Sequence, residues 1–99
     1  MKAAGFDQNT LVMLKSDHGI PVPFAKTNVW RHSTRTPWIV RWPGVTPSRA
    51  NCDRGVVSTD FYPTLRELVA ATDSSEPTRK TDGRSLLALL RDPDATFPR

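Results

Sequence analysis

Nine prolines in 99 residues are the tightest constraint on what this chain can fold into. Each fixes φ and removes a backbone donor, so prolines end helices and stay out of central strands. Spread from Pro21 to Pro98, they leave room for a few short elements joined by many loops. At this length one small domain is the ceiling. The strongly apolar runs between them reach only four or five residues, far short of a bilayer span. Met1-Lys2-Ala3-Ala4-Gly5 has neither the apolar stretch nor the cleavage site of a signal peptide. Hydrophobic residues at 37% and charged residues at 24% give a globular composition. The formal charge of +4 comes from basic residues scattered singly or in pairs, with no helix-turn-helix or zinc-finger pattern, which argues against a nucleic-acid partner. Cys52 is the sole cysteine, so no disulfide framework or cysteine metal cluster is available. It reads as an ordinary surface or half-buried thiol.

Two short apolar runs predict strands. Thr10-Leu11-Val12-Met13-Leu14 follows the turn-prone Asp7-Gln8-Asn9, and Trp38-Ile39-Val40 is closed by Trp42-Pro43-Gly44. Neither alternates, which suggests strands covered on both faces of a parallel sheet. Asp17 to Thr36 carries no helical or alternating pattern, yet holds Phe24, Trp30, both histidines and several charges. A connection that long in a small domain is read as an ordered active-site loop. Phe61, Leu65, Leu68 and Val69 mark one face of a helix, with Thr59 or Asp60 at its start and Pro63 in its first turn. Thr72 to Thr81 is polar and linker-like. Ser85 to Arg91 predicts a second, two-turn helix stopped by Asp92-Pro93. Strand, loop, strand, helix is an α/β pattern, but too little of one to cover its own sheet.

Asp17, His18 and Gly19 stand just beyond the first strand, where α/β sheets gather ligands. A carboxylate beside an imidazole offers two adjacent metal donors, and glycine lets the backbone turn behind them. Taken alone, the tripeptide reads equally well as a turn capped by Asp17 with His18 partly exposed.

Its surroundings extend the reading. Asn9-Thr10-Leu11-Val12-Met13-Leu14-Lys15-Ser16-Asp17-His18-Gly19 resembles the sulfatase pattern N-T-L-V-[IF]-x-x-S-D-[NH]-G, with Met13 in place of Ile or Phe. Arg35 and Pro37 to Gly44 are similar to R-x-P-x-I-V-R-W-P-G. Ser58 to Leu65 is similar to S-x-x-D-x-x-P-T-L with one residue fewer, and Asp82 to Leu87 matches D-G-x-S-L-L. Four segments in order resemble the sulfatase family, and Ile20 to Pro23 with Lys26-Thr27-Asn28 looks closest to its sulfamidase-like branch.

The resemblance implies an α/β fold, a fragment of the alkaline-phosphatase-like sandwich: part of a mostly parallel central sheet with flanking helices. Residues 1–99 would form a later part of the catalytic domain, acting on sulfate esters or sulfamates of a small molecule or carbohydrate. Asp17 and His18 would ligate a divalent cation, calcium first and manganese as the alternative, because imidazole replaces the more usual Asn oxygen. Lys26 would contact the sulfate. His32 matches no family role, Arg35 reads as a brace for the loop, and Trp30 as a packing anchor. The formylglycine nucleophile arises from C-x-[PA]-S-x-R, which Cys52-Asp53-Arg54 does not match, so no residue here is assigned as nucleophile. Ala3-Ala4-Gly5 looks like the tail of a helix, and the remaining domain is expected upstream of Met1. Members are usually exported, although these residues do not fix a compartment. Two other readings stay open: a non-catalytic interaction module, and a related hydrolase of phosphate or phosphonate esters.

Overall fold

A computed structural model of the chain describes residues 2–23, 25–70 and 80–98. Its backbone divides into two compact units, Met1–Gly44 and Val45–Arg99. Most of the polar connection expected over Thr72 to Thr81, and Phe24, lie outside the described residues.

The first unit opens with a 3₁₀ turn, Lys2–Ala4. Gly5 ends it with φ of 72° and an N–H bond of 3.1 Å to the Lys2 carbonyl, the left-handed glycine that commonly closes a helix. Strand β1 (Val12–Lys15) and strand β2 (Trp38–Arg41) then pair, with a one-turn helix α1 (Arg31–Thr34) in the loop between them. The pairing is antiparallel, with Met13 opposite Val40 and Leu14 opposite Ile39. This corrects the parallel pair expected from the sequence. Consecutive parallel strands need a crossover of a dozen or more residues, usually helical, laid over the sheet. Here one helical turn forms and the loop closes on itself. Ser16 N–H donates to the Pro37 carbonyl at 3.3 Å, and Thr36 Oγ1 donates to the Ser16 carbonyl at 3.0 Å.

The two faces of this ribbon differ. Met13, Lys15, Trp38 and Val40 share a half-buried face, and the Lys15 ammonium lies 6.0 Å from the Trp38 ring centre. Leu14 and Ile39 share the other face and are 62% and 57% exposed. The expectation of strands covered on both faces therefore fails within this unit. Trp30 is also corrected, since it is 64% exposed. It caps the start of α1 through its carbonyl, which accepts from the N–H groups of Ser33 (2.8 Å) and Thr34 (3.1 Å). Among the described residues of the loop, the buried positions are the small residues Ala25 and Ser33.

In the second unit a 3₁₀ turn (Ser58–Asp60) runs into helix α2 (Phe61–Ala70), followed by helix α3 (Leu87–Arg91). Pro63 lies in the first turn of α2, as its sequence position predicts. The buried face does not follow the apolar pattern. Leu65 and Val69 are exposed, whereas Asp60 and Thr64, one turn apart, are fully buried at 0%. Their burial is tolerated because backbone N–H and carbonyl groups satisfy their polar atoms. Asp60 Oδ2 accepts from Val57 N–H and Oδ1 from Arg84 N–H, both at 2.9 Å. Thr64 Oγ1 donates to the Asp60 carbonyl at 2.6 Å and accepts from Leu86 N–H at 2.9 Å. Buried polar groups cost little once hydrogen-bonded. A side chain on Gly83 would collide with the Thr59 carbonyl, so glycine lets the two segments meet. Leu86, Leu87, Leu89 and Leu90 supply the apolar core of the unit. Helix α3 starts two residues after the expected Ser85, whose Oγ accepts from Leu87 N–H at 3.3 Å. It stops at Asp92, extended before Pro93 as steric contact with the proline ring requires.

Candidate metal and anion site

The end of β1 positions Asp17 and His18. Strand pairing runs through Lys15, after which Ser16 turns the chain by donating from Oγ to the His18 carbonyl at 2.7 Å. Gly19 then threads between two other parts of the loop. Its N–H donates to the Ser33 carbonyl at 3.1 Å, and an added Cβ would strike the carbonyls of Ala25 and His32. Glycine is thus required by a close backbone approach, which fixes the residue beside it.

The His18 ring is oriented locally. Its Nδ1 lies 2.6 Å from the Gly19 carbonyl, and a carbonyl oxygen only accepts, so Nδ1 carries the hydrogen. In the neutral ring the lone pair then sits on Nε2, which is 3.7 Å from Asp17 Oδ1. Both side chains are accessible, with 42% of His18 and 81% of Asp17 exposed. A cation about 2.0–2.5 Å from each donor fits such a separation. A ligating histidine normally has its other nitrogen tied to a carbonyl or carboxylate, as here. The two residues fit one edge of a coordination sphere. Among the described residues no group of three His, Cys, Asp or Glu side chains comes together. Calcium takes about six to eight oxygens, so this pair alone does not complete a site for it.

His18 lines an open hollow of about 530 Å³. Three basic residues of the loop, Arg31, His32 and Arg35, line the same hollow, with Ile20 and Val22 among its apolar walls. Sequence reasoning left His32 without a role and took Arg35 as a brace. Arg35 is exposed and lines the hollow, and its backbone N–H donates to the Arg31 carbonyl at 2.8 Å, a bond within the loop. Solvation favours that placement for a guanidinium. The available signal was the four-residue spacing of Arg31 and Arg35, which puts them one helical turn apart.

Lys26 lies elsewhere in the loop. It is exposed and lines a shallower depression of about 470 Å³ with Pro21, Val22, Pro23, Thr27 and Asn28. The two hollows share Val22 and Pro23 as walls, and neither Lys26 nor Asp17 lines the His18 hollow. The neighbouring Thr27 has φ of 55°, a left-handed conformation that a β-branched residue rarely adopts. Cys52 is an exposed free thiol. Among the described residues, no helix is long and apolar enough to cross a membrane.

Comparison with known proteins places the chain in a family. The sulfatase family model matches residues 1–71. A sulfatase of Formosa agariphila is 35% identical over 92% of this chain and 18% of its own length. The steryl-sulfatase of Rattus norvegicus is 33% identical over 87% of the chain and 18% of its own length. An ulvan-active sulfatase of Formosa agariphila is 30% identical over 95% and 19% respectively. The chain therefore spans less than a fifth of each of these relatives. The small sheet and short helices are compatible with the α/β fold the family implies. With the family model covering the strand pair, the loop and helix α2 to its end, the chain belongs to the sulfatase family.

Proposed function

We propose that this chain carries part of the divalent-metal and sulfate-binding site of a sulfuric ester or sulfamate hydrolase. The observation that carries the reading is the orientation of His18. Its Nδ1–H is committed to the Gly19 carbonyl, leaving Nε2 beside the Asp17 carboxylate at the end of β1. Membership of the sulfatase family supports the reaction class. Asp17 and His18 would hold the cation from one side, with calcium or manganese as the candidates. A cation held there would supply positive charge that stabilises the sulfuryl oxygens. Lys26 would approach the same oxygens with its ammonium, a donor whose worth rises as charge builds in the transition state. The formylglycine nucleophile of a working enzyme is not provided by Cys52, whose sequence context lacks the required motif. Substrates would be sulfated small molecules or carbohydrates.

Metal binding tests the reading without requiring activity. In an NMR titration of the 99-residue chain, Mn²⁺ should broaden the His18 ring signals well before those of His32. Excess Ca²⁺ should reverse the effect, and Asp17→Ala should abolish the selectivity. Equal broadening of both histidines in the unmodified chain would remove the basis for the proposed metal role.

A further inference from the structure

The positive charge of this chain is not evenly shared. The unit Met1–Gly44 has six Lys and Arg against two Asp, a net +4, whereas Val45–Arg99 has eight of each sign. The whole formal charge thus belongs to the unit that carries the His18 hollow. Among the described residues no carboxylate lines that hollow, and Arg31 and Arg35 form no ion pair. Arg31 and Arg35, one turn apart, and His32 therefore line one concave, partly apolar surface together with His18, the proposed metal ligand.

We propose that Arg31 and Arg35, with His32, form a second anion-binding subsite, so that the preferred substrate carries a further sulfate or carboxylate beside the sulfate proposed to meet the metal. The proposal rests on the reading of Asp17, His18 and Lys26 given above. Guanidinium forks match the planar oxygens of carboxylate and the tripod of sulfate, and charge-assisted bonds of this kind are the strong ones. Apolar walls such as Ile20 and Val22 suit the carbon skeleton between two anions better than a naked inorganic ion. Because all three basic side chains are exposed, the gain from each contact is modest and salt-sensitive.

Binding to the 99-residue chain in Mn²⁺ distinguishes the possibilities. The probes are a monosulfated sugar, the same sugar with a second sulfate, and the same sugar with a carboxylate in place of the second sulfate. The unmodified chain should bind one or both dianions about tenfold more tightly than the monosulfate. Whichever dianion binds more tightly identifies the second group. In Arg31→Gln/Arg35→Gln that preference should vanish while monosulfate affinity stays. Lys2→Gln/Lys80→Gln removes the same number of charges at residues that do not line the hollow and should keep the preference. Equal affinity for all three sugars, or a preference that survives the arginine replacements, overturns the subsite. So does equal loss in the Lys2/Lys80 variant, which would reduce the effect to net charge. Failure of the underlying reading looks different: monosulfate affinity is then indifferent to Lys26→Ala and Asp17→Ala. A chain that binds none of the sugars overturns both.

Discussion

The His18 ring owes its orientation to the residue next to it, and Gly19 can serve that purpose only because it has no side chain. The Gly19 carbonyl accepts from Nδ1 while its N–H donates to the Ser33 carbonyl, so one residue ties both the imidazole and the fold-back of the loop. Gly19→Ala should break both by steric conflict with the Ala25 and His32 carbonyls. The expected result is loss of Mn²⁺ selectivity for His18 comparable to that of Asp17→Ala, seen by the same NMR broadening. Retained selectivity would mean that the loop tolerates a shift and that the ring is held by something else. For the proposed sulfate contact, the measurement belongs to a catalytically complete sulfatase carrying this segment. There, Lys26→Ala should lower kcat by roughly two to three orders of magnitude, the usual cost of removing one preorganised donor. A change below about threefold would detach Lys26 from the chemistry.

Among the elements, the join between α2 and α3 explains why two of the sequence segments occur as they do. In the segment from Ser58 to Leu65, Asp60 and Thr64 receive the backbone of the segment from Asp82 to Leu87. These two family-like motifs thus form one clasp that holds four leucines in place. Thr64→Val keeps the shape but leaves the buried Leu86 N–H without its acceptor, at a cost of about 1–3 kcal/mol. In a catalytically complete sulfatase carrying this segment, amide exchange at Leu86 should accelerate by roughly one to two orders of magnitude, with Thr64→Ser close to the unmodified rate. An unchanged Leu86 rate in Thr64→Val would show that the hydroxyl is incidental to the join. Gly83→Ala should disturb the same amides through its collision with Thr59.

For the whole molecule, core size dominates. Among the described residues the buried apolar side chains are Ala25 and four leucines, while Phe6, Leu14, Ile20, Trp30 and Ile39 are exposed. Burial of that extent barely offsets the chain entropy lost on folding, which is of the order of 1.5 kcal/mol per residue. The isolated chain should bind a hydrophobic dye and melt over a broad range. A sharp, cooperative transition of the monomer, measured by calorimetry, would contradict this estimate. Purified alone, it should also fail to hydrolyse an aryl sulfate, because binding groups without an activated nucleophile leave little catalysis. Metal-dependent turnover that persists after rigorous repurification would refute that expectation.

The sequence by itself determined the family, the approximate positions of both strands and both longer helices, and the adjacency of Asp17 and His18. These are local properties, set by apolar runs, proline stops and residues joined by a peptide bond. Tertiary structure decided which faces those elements bury and what meets what. The strands pair antiparallel because the loop closes on itself through Ser16, Thr36 and Gly19, and no hydrophobic pattern encodes those backbone bonds. Helix α2 turns Asp60 and Thr64 inward because the backbone around Arg84 and Leu86 arrives from more than twenty residues away to satisfy them. Judged by polarity alone, both should have faced water. Arg31, His32 and Arg35 join His18 for the same reason: their convergence depends on the fold-back at Gly19, which brings residues distant in the chain to one hollow.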